Sequence, residues 1–161
     1  MCDKWAALDP AQPALIHEHC NGHVTRVSFG ELRRRSNQTA NCLRRRGATQ
    51  ENRVAILLAQ SPQTAFAHIA AFNAGAISLP LFALFGEEAL EYRLRDSGAS
   101  VLVTDTGGAR KIAAIRQKLA ALVTVLVTDS IRASRQLRVQ KTLTTQLMQS
   151  PTRSSAGDQR G

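Results

Sequence analysis

Between Val54 and Asp105 the chain reads VAILLAQSPQTAFAHIAAFNAGAISLPLFALFGEEALEYRLRDSGASVLVTD, and this alternation of two apolar patterns constrains the fold more than any other feature. Val54–Leu58, Ile77–Leu81 and Val101–Thr104 are short, unbroken apolar runs rich in strand formers. Such runs suit strands covered on both faces. Between them lie two helical patterns. The first opens with Ser61 and Pro62, is made mostly of small residues and stops at Gly75; the second opens with Glu87 and Glu88, turns Leu90 and Leu94 inward and ends at Gly98. Strand–helix–strand repetition with short connections predicts an α/β fold, because parallel neighbours need a crossover and a helix supplies it. A further strand is expected near Val123.

Upstream, Asn21–Gly22 between Ala14–His19 and His23–Val27 predicts a β-hairpin, closed by a two-residue turn with positive φ at both central positions. That register would set Cys20 against His23 and turn His17 and His19 to the other face, splitting four candidate ligands two and two. A structural zinc site needs convergent ligands, so no metal is expected. Ser28 with Glu31 three residues on is a capping box that starts a helix running to Arg46, with Phe29, Leu32, Ala40 and Leu43 on one face and Gly47 at its end. Its triplets Arg33–Arg35 and Arg44–Arg46 each cover most of a turn rather than forming a stripe, so they read as solvated surface. His68, in the small-residue helix, has no catalytic partner placed by sequence and reads as a packed, hydrogen-bonded residue.

After Val101–Thr104, the segment Thr104-Asp-Thr-Gly-Gly reads as a flexible turn into a helix beginning near Ala109, with Arg110 and Lys111 in its first turn. Two solvated cations and an anion site built from both side chains and free N–H groups are both compatible with this pattern. Gly-Gly-Ala-Arg-Lys is not a phosphate-binding P-loop, since it lacks the Gly-Lys-Ser/Thr ending.

Three continuous stretches carry a resemblance: VSFGELRRRSNQTANCLRRRGA, NRVAILLAQSPQ and FNAGAISLPLFALFGEEALEYRLRDSGASVLVTD. Together they resemble the N-terminal region of the adenylate-forming acyl-CoA synthetases, the AMP-binding enzymes that include acetate-CoA ligase. The resemblance runs from Asp3 to Asp129 and corresponds to roughly the first quarter of such an enzyme. It implies that residues 1–129 are the N-terminal part of a synthetase domain, with a partial, mainly parallel sheet preceded by the hairpin. The activity implied is ATP-dependent conversion of a carboxylic acid to acyl-AMP and then acyl-CoA. By resemblance Arg110 contacts the phosphate-rich end of CoA with Lys111 beside it, and Phe82 packs near the adenine; Phe85 is the alternative if the alignment slips. Leu84 stands where acetate-CoA ligases carry glycine, and Glu51-Asn52 where Gly-Asp is common. The family's ATP loop (T-S-G-T-T-G, then P-K-G), Mg²⁺ ligands and C-terminal lysine have no counterpart in these 161 residues. ATP and Mg²⁺ are therefore expected only in full-length relatives, CoA binding is expected to be weak, no catalytic residue is assigned, and whether the chain is an enzyme stays open. The expected function is that of a truncated synthetase domain. The alternatives are a small non-catalytic CoA- or nucleotide-binding module, and a basic nucleic-acid-binding protein.

Charge weighs against the last. Of the net +9, the 32 residues from Ser130 onward hold six basic residues and one acidic, so more than half of the excess lies outside the α/β body. One Trp, one Tyr and five Phe make a poor single-strand stacking platform. The Ser-, Arg-, Thr- and Gln-rich residues 130–161 read as a disordered basic tail. Three cysteines without a C-x-x-C pair favour free thiols, and the lack of a long apolar run or apolar leader favours a cytoplasmic protein with no membrane partner; a small-molecule substrate is what the resemblance implies for the parent family.

Overall fold

The computed structural model describes residues 2–128 and the backbone of Arg138–Gln140. A short helix, α1 (Asp3–Leu8), precedes the hairpin of β1 (Pro13–Glu18) and β2 (Val24–Ser28). Then come α2 (Phe29–Arg45), β3 (Arg53–Leu57), α3 (Pro62–Asn73), β4 (Ile77–Leu81), α4 (Glu87–Ser97), β5 (Val101–Thr104), α5 (Thr106–Ile115), β6 (Thr124–Val127) and β7 (Arg138–Gln140). The sheet order is β4-β3-β5-β6-β7, with all pairs parallel except β6–β7. The architecture is thus the expected α/β one, with a mainly parallel sheet and a separate antiparallel hairpin. Three residues from the segment read as a tail form β7; the rest of that segment lies outside the described residues.

The unbroken apolar runs follow from burial on both faces. Along β3, Val54 and Ile56 join Ala40, Leu43, Ala67, Ala70 and Ala71 of α2 and α3, whereas Ala55 and Leu57 join Leu90, Leu94, Ile112 and Ile115 of α4 and α5. Two cores therefore sandwich one sheet. The alanines of α3 let it lie close against α2, and Arg44 and Asn37 of α2 bond the Asn73 carbonyl and side chain at the α3 end. Ser28 Oγ accepts from Glu31 N at 3.2 Å, as the capping pattern requires. Both α2 and α3 close with a 6→1 bond, Ala48 N to Leu43 O and Ala76 N to Ala71 O, that turns the chain toward the next strand.

The hairpin forms where expected, but its loop has three residues rather than two. His19 pairs with His23, donating N–H to its carbonyl at 2.8 Å, and Cys20, Asn21 and Gly22 make the connection, with Gly22 at φ 77°. A Gly in the left-handed region at the third loop position is what a three-residue hairpin needs, and Asn-Gly serves it as readily as a type I′ turn. The change overturns the expected split of ligands. His23 lies beside His19, not Cys20, and His17, His19 and His23 share one face.

Candidate nucleotide-binding rim

In an open parallel sheet the crevice beyond the carboxyl ends of the strands is the usual ligand position. Here it is bordered by the segment after β3, α3, the loop after β4 and α4. A cleft of about 380 Å³ opens there, lined by Leu58, Gln60, Thr64, His68, Phe82 and Arg93 among others.

Phe82 begins the loop after β4 and is 60% exposed despite its size. It is held edge-on by Phe85, with ring centroids 5.7 Å apart, and Phe85 N donates to Phe82 O at 3.0 Å. Arg93, one helical turn into α4, lies over the Phe85 ring with its guanidinium carbon 4.2 Å from the centroid. Phe85 is half-buried between these neighbours, so of the two phenylalanines Phe82 presents the freer ring face.

The start of α5 differs from expectation. Asp105 is its N-cap, its Oδ1 accepting from Gly108 N at 2.8 Å, so the helix begins at Thr106 rather than near Ala109. Arg110 and Lys111 consequently occupy the second turn, beyond the free N–H groups, and the Asp105 carboxylate already takes one of those donors. Gly108 does not supply a turn. A Cβ there would stand 2.0 Å from Thr104 Oγ1 and 3.1 Å from Leu57 Cδ2, so glycine lets α5 seat directly on the ends of β3 and β5. Thr104 Oγ1 in turn donates to Leu57 O at 2.8 Å.

Lys111 is not a free cation. Its Nζ donates to Ala83 O at 2.9 Å and to Phe85 O at 3.0 Å, tying α5 to the loop that carries Phe82. Arg110, the preceding residue, is exposed. Lys111 therefore braces α5 against the loop that carries Phe82, while Arg110 is an exposed residue of α5 outside the lining of this cleft. Arg93 and Thr104 belong to this arrangement and were missed in the sequence, where one is an ordinary surface arginine of an amphipathic helix and the other a strand end.

His68 sits on the α3 side of the cleft, its Nδ1 2.7 Å from Ser78 Oγ, and burial holds its pKa below the ordinary imidazole value. It is the packed, hydrogen-bonded residue the sequence suggests. Cys2, Cys20 and Cys42 are free, and no helix among the described residues is long and apolar enough to cross a membrane.

A mainly parallel sheet with helices on both faces places the chain in the open α/β class, whose usual ligand position is the crevice at the carboxyl edge of the sheet. The sequence pattern of the AMP-binding enzyme family matches residues 2–158, and the chain belongs to that family. The match continues past Asp129, where the resemblance read from the residues stops. Acetyl-coenzyme A synthetase of Coprinopsis cinerea is 34% identical over 120 residues, covering 74% of this chain and 18% of that protein. Tyrocidine synthase 2 of Brevibacillus parabrevis is 35% identical over 102 residues, covering 63% of this chain and 3% of its own length. Among solved structures, the acyl-CoA synthetase of Brucella canis superposes with a TM-score of 0.71 at 28% identity, covering 84% of this chain and 24% of that one. The chain thus spans about a fifth of the length of the synthetases it matches.

Proposed function

We propose that this chain holds the nucleotide end of coenzyme A without activating an acid. What supports the reading is the pair of hydrogen bonds from Lys111 Nζ to the Ala83 and Phe85 carbonyls, which ties α5, the helix that carries Arg110, to the loop that carries Phe82. Phe82 offers a ring face to adenine, worth roughly 1–3 kcal/mol in nucleic-acid stacking. Arg110 offers a planar, bidentate fork to the 3′-phosphate. Lys111 has one N–H left after its two carbonyls and adds positive potential near the same phosphate. Binding is weak, since a partial site recovers little of the entropy lost on association.

Adenylation of a carboxylate belongs, on this reading, to polypeptides that carry the whole family fold. There the ATP loop, Mg²⁺ ligands and mobile lysine would stabilise the charge that develops on phosphate. A second reading rests on the tyrocidine synthase match: the shared segment serves a protein not named for a CoA ester, so the rim could instead act only as scaffold. CoA and dephospho-CoA separate the two. At low salt the unmodified chain binds CoA more tightly than dephospho-CoA, and Arg110→Ala removes the difference. Equal binding of the two ligands by the unmodified chain would reject the CoA reading and favour the scaffold.

A further inference from the structure

The cleft beside Phe82 carries one cation that the resemblance leaves without a task. Its floor is apolar and buried, made by Ile56, Leu58 and Leu81, and among the described residues that line it none is acidic. Arg93 is the lining side chain that is always charged; His68, its pKa lowered by burial, is neutral at pH 7. Arg95, two residues on in α4, pairs with Glu91 at 3.3 Å, and Lys111 is occupied by two loop carbonyls. Arg93 has no carboxylate partner among the described residues. Its guanidinium carbon stands 4.2 Å from the Phe85 centroid, and of its five N–H donors one, on Nη1, makes a long 3.5 Å bond to Ala89 O.

An unpaired guanidinium beside a low-dielectric floor focuses positive potential into the cleft. Its stack on Phe85 pre-orders the side chain and so reduces what a ligand must immobilise. Phe85 also meets Phe82 edge-on, with ring centroids 5.7 Å apart, so an aromatic face and a cation border the same opening on either side of one ring. A ribose spans a similar gap between adenine and its 5′-phosphates. We propose that this cleft takes an adenosine 5′-diphosphate group, with the adenine on Phe82 and the diphosphate on Arg93. The assignment rests on the coenzyme A reading above and adds a residue to it: Arg93 holds the 5′-diphosphate, while Arg110, outside the lining, is left for the 3′-phosphate. A volume of about 380 Å³ is within the range of small-molecule sites.

The test is NMR titration of the full chain at low salt with adenosine, ADP, dephospho-CoA and CoA. ADP binds about tenfold more tightly than adenosine and shifts the Arg93 Nε–H resonance. Arg93→Gln removes that advantage but leaves adenosine binding and the preference for CoA over dephospho-CoA in place. Arg110→Ala does the reverse, and Arg95→Gln, which removes an equal charge from the same helix, changes neither. Equal binding of adenosine and ADP by the unmodified chain would overturn the assignment, as would an ADP advantage that survives Arg93→Gln or is lost equally in Arg95→Gln. Adenosine weakened in parallel with ADP by Arg93→Gln would also overturn it, reducing Arg93 to a support for the Phe82 loop. In each case the preference for CoA over dephospho-CoA still reports separately on the coenzyme A reading, and a chain that binds neither ADP nor CoA rejects both.

Discussion

Replacing Gly108 by alanine tests how α5 is seated, and through that seat how the rim is assembled. The added Cβ would lie 2.0 Å from Thr104 Oγ1, far inside van der Waals contact, and 3.1 Å from Leu57 Cδ2. Thr104 is fully buried and cannot swing outward; relief requires either a shift of the helix or a rotation that breaks the 2.8 Å bond to the Leu57 carbonyl. Overpacking of this kind costs ~1–3 kcal/mol, and losing a buried hydrogen bond adds ~1 kcal/mol. The better helix propensity of alanine returns up to ~1 kcal/mol, leaving a net loss of about 1–3 kcal/mol. Gly107→Ala is the internal control: its Cβ meets only Asp105 Oδ1, at 3.3 Å, on an exposed turn, so its stability stays within ~0.5 kcal/mol of the parent or rises slightly. Urea unfolding followed by circular dichroism gives both values. Adding Thr104→Ala to Gly108→Ala removes the clashing atom, so the double variant loses less than the two single losses added together. Equal stability of the Gly107→Ala and Gly108→Ala proteins, or strict additivity in the pair with Thr104→Ala, would refute the close-approach account of Gly108.

Lys111→Met keeps the aliphatic stem but removes the donors to Ala83 and Phe85. Hydrogen exchange at the Phe85 and Gly86 amides accelerates while exchange in β5 stays unchanged, and unchanged loop exchange would show that the brace holds nothing. His68 gives a pH dependence. Because burial lowers its pKa in the folded chain, the unfolded chain binds more protons between that lowered value and the ordinary ~6.5, so stability rises with pH through this window and is fully present above it. The urea midpoint of the parent therefore falls more than that of His68→Gln between about pH 7.5 and pH 5.5. Parallel falls in the two proteins would contradict the assignment.

The fold was legible because parallel strands covered on both faces must be apolar at successive positions. Val54–Leu58 and Val101–Thr104 could hardly be amphipathic surface, and Ser28–Glu31 and Gly98 marked helix ends by their capping chemistry. What stayed hidden depended on distance rather than pattern. Asn21-Gly22 announces a hairpin but not whether the loop has two residues or three, and one residue decides which side of the ladder His23 takes. Gly107-Gly108 looks like a break before a helix, yet Asp105 caps the helix ahead of both, and Gly108 is there to clear Thr104. Lys111 reads as a solvated cation because nothing local reveals two carbonyls some 26 to 28 residues upstream within reach of its ammonium group.

The central claim is that these 161 residues carry the synthetase fold's nucleotide rim without its acid-activating chemistry, and one assay addresses it directly. Carboxylate-dependent exchange of labelled pyrophosphate into ATP reports formation of an acyl-adenylate whatever happens to CoA. With the purified chain, Mg²⁺, ATP and acetate or a longer carboxylate, exchange is expected to equal that of a heat-denatured control. Exchange above that control, dependent on both the carboxylate and the folded protein, would contradict the account and require an adenylating site among residues to which it assigns only binding and support.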